Sequence, residues 1–225
     1  MIRYLLVIIV GSLFFGFKSE KNVAFEVRLH WGERQIHLND LIMYEGDSIQ
    51  ISQFKIYLSN IRFLNEGKTV YKLKNQYHLV DFSDESTTVF SHNIPAKKAY
   101  DQVVIGIGVD SVKSVSGAFG GDLDPTNGMY WAWNSGYINW KMEGTIEGIP
   151  TRGNQFQCHI GGYQGKDKTY HDRVHHWEGR KMFMVINLKK IVPVLIKREK
   201  YEIMIPGENA VSINEVMIEN LSVHE

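Results

Sequence analysis

Val23-Ala-Phe-Glu-Val-Arg-Leu-His-Trp31 alternates large apolar residues with small or polar ones. Successive side chains of a β-strand point to opposite faces, so Val23, Phe25, Val27, Leu29 and Trp31 share one side. The stretch therefore reads as a half-buried strand, with Ala24, Glu26, Arg28 and His30 turned outward. The same period recurs down the chain. Phe54, Ile56 and Leu58 line one strand face, and Ile61 and Phe63 continue it after Ser59-Asn60. Asn65-Glu-Gly67 is a hairpin signal, Tyr71 and Leu73 begin the return strand, and Tyr77 to Phe82 is the next. Tyr100 to Val109 is a further β-rich run. Residues 155–160, 170–176, 182–188, 201–205 and 216–223 read as later strands. No long stretch carries the helical period, although Lys189 to Lys197 has room for one short helix or turn. Many short strands with turn signals between them predict an all-β fold. The expectation is a single-domain, Greek-key-like β-sandwich with long loops over residues 20–225.

Composition fits that reading. The chain has 225 residues, 44% of them hydrophobic and 12% aromatic, which is ample for one core and argues against disorder. Its 25 basic and 25 acidic residues balance. Lys189-Lys190 and Lys197-Arg-Glu-Lys200 are too short to make a nucleic-acid stripe and read as solvated faces. Residues 1–19 read as a signal peptide. Arg3 gives a positive start, and the apolar run from Leu5 to Phe17 is shorter than the roughly 20 residues of a membrane span. Phe17-Lys-Ser19 is a poor cleavage site, so an uncleaved anchor is the alternative. No cysteine follows the run, which argues against a lipoprotein anchor. The mature chain is placed in the periplasm or outside the cell, with no membrane span. Cys158 is the sole cysteine, so no internal disulfide can form.

Chemistry concentrates in two stretches. Asp122-Leu-Asp-Pro-Thr-Asn-Gly128 places Asp122, Asp124 and Asn127 at calcium-like spacing. Pro125 and the lack of a distal Glu depart from the EF-hand loop, and a proline-stabilised turn is the competing reading. Tyr130, Trp131, Trp133 and Tyr137 follow; as one strand, they would put both tryptophans on a common face. In Cys158-His-Ile-Gly-Gly162 an imidazole stands beside a glycine pair that leaves room for a close approach. Cys158 and His159 are strand neighbours pointing apart, so they form no dyad.

There are nine histidines. His171 and His175, four apart on a strand, lie about 13 Å apart and cannot share an ion; they read as solvent-facing edge-strand residues. No nucleophile elbow or phosphate loop is present. Gly106-Ile-Gly108 lacks the third glycine and the helix of a dinucleotide site. It reads instead as a bulge or a close approach of another backbone. No acid/base or nucleophile pair emerges, so the chain is not read as an enzyme.

Several motifs together resemble a known family. Tyr57-Leu-Ser-Asn-Ile-Arg-Phe63, Tyr77-His-Leu-Val-Asp81, Ile105-Gly-Ile-Gly-Val-Asp110, Leu123 to Tyr137 and His159-Ile-Gly-Gly162 are similar to the MbnP-like family, named for a protein of methanobactin operons. The Met-x-Trp-x-Trp-x-x-Gly-Tyr string and the His-x-Gly motif are the most specific parts.

The resemblance implies a periplasmic or secreted copper-binding protein, mostly β. In such proteins copper is held by histidines and by a tryptophan oxidised to kynurenine, the oxidation being performed by a partner diheme enzyme of the MauG type. His159 matches the family's His-x-Gly histidine. One departure stands out: relatives carry a further histidine after the Ile-Gly-Val strand, where this chain has Ser111-Val-Lys-Ser-Val-Ser116. His78 is then the expected second ligand and His30 the reserve. Trp131 and Trp133 are the candidates for modification, walling a pocket into which His159 points. A binding module that has lost the metal is the alternative.

Overall fold

The computed structural model describes residues 19–134 and 136–224. The signal peptide read at residues 1–19 therefore lies almost wholly outside the described residues. In chain order the strands are β1 (Glu20–Trp31), β2 (Arg34–Ile36), β3 (Ile42–Tyr44), β4 (Asp47–Asn65), β5 (Lys68–Lys72), β6 (Tyr77–Asp81), β7 (Val89–Pro95), β8 (Gln102–Ile107), β9 (Tyr130–Trp131), β10 (Gly136–Ile146), β11 (Gln155–Gly161), β12 (His171–His176), β13 (Lys181–Asn187), β14 (Glu202–Ile203) and β15 (Leu221–His224). The helices are α1 (Ser111–Val115), α2 (Val192–Arg198) and α3 (Glu208–Glu219).

The strands form a sandwich of two sheets, as the period-two pattern predicts. The five-stranded sheet runs β15-β13-β1, with β2 and β7 sharing the far edge of β1. β1 and β13 are parallel, Phe25 opposite Met182 and Leu29 opposite Ile186. The ten-stranded sheet is built on β4. One edge of β4 pairs with β10 and then β8; the opposite edge pairs with β3, β6 and β5. β11 lies beyond β10, and β12 beyond β8. Val23, Phe25, Val27 and Leu29 of one sheet and Phe54, Ile56, Leu58, Trp140 and Met142 of the other are buried in the core between them.

A second, smaller core sits on the other face of the large sheet. Tyr57 and Leu79 project there and meet Leu123, Met129, Trp131, Tyr137 and Ile138. This cluster pins the loop that precedes β9 onto the outside of the sheet. Gly106 is a close-approach position for another backbone, as expected: a Cβ there would lie 2.8 Å from the Ser59 carbonyl; Gly108 instead makes room for a side chain, a Cβ there lying 2.4 Å from Asn139.

Two expectations about elements are corrected. Residues 216–223 are not one strand. α3 runs through Glu219 and only Leu221–His224 is extended. Ala210, Ile213, Asn214, Met217 and Ile218 form its buried stripe, a helical spacing interrupted by Asn214 and masked by β-branched residues. The aromatic stretch is also not one strand. β9 holds only Tyr130 and Trp131, and a turn over 132–134 follows it before β10.

Candidate metal centre

His159 lies on β11 directly opposite Lys141 of β10, which in turn lies opposite Lys55 of β4. Directly paired residues share a face, so all three project from the outer side of the large sheet, beneath the 121–128 loop. Their neighbours Ile160, Cys158, Trp140 and Met142 point into the core. Cys158 is thus on the opposite face from His159, and burial pushes its thiol up to about 12, which leaves it inert.

His159 is 7% exposed. Its Nε2 donates to Oε1 of Glu143 at 2.6 Å. Burial lowers the imidazole's pKa, partly opposed by the Glu143 hydrogen bond. The ring is therefore neutral at physiological pH, and donation from Nε2 leaves the lone pair on Nδ1. Lys141 Nζ stands 3.8 Å from the same Glu143 oxygen, with only 11% of its side chain exposed. Desolvation lowers the lysine's pKa, and the Glu143 charge opposes that. On the next strand Lys55 Nζ pairs with Asp81 Oδ2 at 2.8 Å and donates to the carbonyl of Asn127. A strip of charged side chains, Asp81, Lys55, Lys141 and Glu143, therefore crosses the sheet and ends at the neutral His159.

Trp131 closes the other side. Gly161, two residues after His159 and so on its face, leaves room for the indole: a Cβ there would lie 2.7 Å from Trp131 Cζ3 and 2.6 Å from the Tyr137 carbonyl. Trp131 is buried, whereas Trp133 is 64% exposed. The turn between them breaks the expected common strand face, yet their rings remain 5.7 Å apart. Trp131 thus packs over Gly161, two residues along β11 from His159, with Trp133 on its outer side.

His78 does not join this group. It lies opposite Leu58, on the core side of β6, whereas His159 faces out. Two strands, β4 and β10, separate β6 from β11, which is three inter-strand steps or about 14 Å of sheet. Both ring nitrogens of His78 are engaged: Nε2 with the Thr87 carbonyl at 2.8 Å and Nδ1 near Asp122 Oδ2 at 3.5 Å. The ring also lies tilted against Phe90, with the ring centroids 3.9 Å apart. His30 belongs to the smaller sheet and points outward from it, into a groove it shares with Arg28, Asn187, Ser222 and His224. Neither can share an ion with His159 in this arrangement.

The 122–128 loop is a self-capped turn, which corrects the calcium reading. Asp122 Oδ2 accepts from the backbone N–H of Leu79 at 3.0 Å. Asp124 Oδ1 accepts from the backbone N–H and hydroxyl of Thr126. Asn127 donates its amide to the carbonyls of Gly121 and Asp122. Three side chains thus serve three different targets and share no centre. Among the described residues, no three His, Cys, Asp or Glu side chains converge on a point that could hold a metal.

A model of the family described as MbnP matches residues 20–199. The chain belongs to the MbnP family. Among solved structures it is similar to MbnP from Methylosinus trichosporium, at 12% identity, with 78% of each chain covered and a TM-score of 0.57. At that identity the likeness is one of fold. No curated protein matches the chain. Membership makes the chain a relative of a methanobactin-operon protein. Among the described residues no helix is long and apolar enough to cross a membrane.

Of the site residues, His159 was legible from its motif and glycine clearance. Glu143 and Lys141 were not, because only the β10–β11 register brings residues 16 apart into contact. Their alternation with Trp140, Met142 and Gly144 was the available signal.

Proposed function

We propose that this protein handles copper outside the cytoplasm, in the periplasm or after secretion, as a binding protein rather than an enzyme. His159 is the anchoring nitrogen. The observation that carries this reading is the 2.6 Å contact between His159 Nε2 and Glu143. A metal-ligating imidazole generally donates its other ring N–H to a carboxylate, which fixes the tautomer and raises the basicity of the free nitrogen. Here burial keeps the ring neutral, and Glu143 holds it with Nδ1 as the donor. Imidazole suits copper, so His159 can supply one nitrogen donor to an ion.

His159 alone would hold an ion weakly, and further donors would come from the Trp131 side. Oxidation of Trp131 to kynurenine by a diheme partner of the MauG type would add an amine and a carbonyl that indole lacks. Trp131 is favoured over Trp133 for that role because its ring is the one packed against Gly161.

The reading is tested by titrating Cu(I) and Cu(II) into wild type and His159→Ala. Wild type is expected to bind one copper and the variant to lose it. Stoichiometric binding by the variant overturns the assignment. A second reading, a binding surface without metal, is favoured by the exposure of Trp133, Val112 and Val115 at 64%, 77% and 61%. Absence of copper in protein from its native host, with no uptake on titration, would leave that reading standing.

A further inference from the structure

Exposed apolar side chains gather around one loop of the surface, residues 162–167. Ser111, at the start of α1, donates its hydroxyl to the Tyr163 carbonyl at 2.8 Å. The Tyr163 ring fills the space beside Gly136, where a Cβ would lie 2.8 Å from Cε1, and a Cβ on Gly162 would touch Pro206 at 3.5 Å. Asn134, Gly162, Tyr163, Gln164, Asp167 and Pro206 line a hollow of about 130 Å³. Three separate segments are thus anchored on one loop: α1, the turn over 132–134, and the stretch that follows β14. Each raises apolar side chains into solvent next to its anchor, Val112 and Val115 on the first, Trp133 on the second, Met204 and Ile205 on the third. Val112 and Val115 are three apart and so share one side of the helix. Lys166 and Lys168, both exposed, flank Asp167 on the loop itself. Lys113 is held over the Phe119 ring at 3.3 Å, which leaves those two as the outward cations of the loop and of α1.

We propose that this corner docks on a lipid bilayer carrying anionic headgroups, so that the protein rests on the membrane surface without spanning it. A polypeptide partner generally meets an apolar centre within a polar rim. Here the order is reversed, with the polar hollow at the centre and the apolar tips around it. The hollow is also well below the roughly 300 Å³ at which small-molecule sites begin. Separate tips can each enter a fluid interface, which needs no complementary shape, and an exposed indole sits well at headgroup level. Lys166 and Lys168 supply the attraction to an anionic surface. Glu202 and Glu208, exposed on either side of Met204 and Ile205 in the chain, mark the limit of the contact on that flank. The contact takes up the exposed surface of the second reading above and needs no copper at His159.

The test titrates the full chain with vesicles of phosphatidylcholine, alone or mixed with phosphatidylglycerol, whose acyl chains are brominated. Bromine quenches only an indole that enters the bilayer, so attachment through another part of the chain gives no signal. Wild type is expected to show quenching on the mixed vesicles, weakened by salt. Trp133→Phe keeps an apolar tip and is expected to lose the quenching, because Trp131, Trp140 and Trp177 are buried and Trp31 is half-buried. Val112→Asp with Val115→Asp is expected to raise the lipid concentration at half-quenching at least about tenfold, given the apolar area removed. Lys166→Glu with Lys168→Glu should raise it about tenfold on mixed vesicles and little on phosphatidylcholine alone. Circular dichroism and a melting curve establish that each variant is folded; if the aspartate pair is not, Val112→Ser with Val115→Ser takes its place. Absence of quenching in wild type, quenching that persists in Trp133→Phe, or an unchanged midpoint in the valine variant overturns the proposal. So does a wild type that is dimeric by light scattering and that the valine variant makes monomeric, which would give the surface to a second copy of the chain. The copper titration of His159→Ala reads a different site, so each result stands apart from the other.

Discussion

Glu143 accepts from His159 and pairs with Lys141 at once, so its charge governs both neighbours. Glu143→Gln keeps the size and an acceptor oxygen but removes the charge. Copper affinity is expected to fall about ten- to a hundredfold, the usual effect of losing a carboxylate behind a ligating histidine. The melting temperature should fall as well, because the neutral amide leaves the nearly buried Lys141 ammonium without its ion-pair partner. A titration giving wild-type affinity would show that the carboxylate does not orient the ring. At this scale the sequence is legible where a residue announces itself locally. His159 stands beside two glycines, and Asp124 stands before a proline turn. Glu143 and Lys141 announce nothing, because an outward Lys-x-Glu on a strand looks the same whether water or an imidazole faces it.

β12 carries the clearest pH signal of any element. His171, Arg173 and His175 alternate along it and share the face of their partners Ile107, Ile105 and Val103, all buried. They are half-buried rather than solvent-facing as the sequence suggested, because an edge strand still turns one face to the core. Among the described residues, Nε2 of both histidines is buried with no hydrogen-bond partner. Burial lowers both pKa values, Arg173 adding to the effect and Glu215 opposing it at His171. With folded values below the unfolded 6.5, the unfolded chain binds more protons in that range, so stability falls as pH falls. The neutral rings are tolerated fully above the unfolded value, and the loss grows as pH drops from there toward the folded values. Amide exchange in β12 is expected to accelerate between about pH 7 and pH 5, and His175→Leu should flatten part of that dependence. Exchange independent of pH, after correction for the intrinsic rate, would count against it. The strand itself was readable from its position and length; which face its histidines occupy depends on pairing with β8, which no local pattern encodes.

The whole molecule is a sandwich closed at one side by α3, which packs on β11 and β15. Its buried Asn214 accepts from the indole N–H of Trp140 at 2.9 Å, linking the last helix to the middle of the large sheet. Asn214→Ala strands that N–H in the core. The expected cost is about 1–3 kcal/mol, read as a melting temperature lower by about 2–4 °C for each kcal/mol in a chain of this size; no drop at all would mean that water replaces the amide. The sandwich class was legible because period-two patterning persists over most of the chain, whereas α3 was hidden by Asn214 and by its β-branched residues. The pairing of β1 with β13 has a further consequence, one of time. Residues 24–30 hydrogen-bond in parallel to residues 181–187, so the first strand meets this neighbour only after most of the chain has been made. Contacts so distant in sequence slow folding, because loop-closure entropy is lost before they form. β2 and β7 can pair with the other edge much earlier, so it is this one edge of the opening strand that stays open until residues 181–187 arrive to close it.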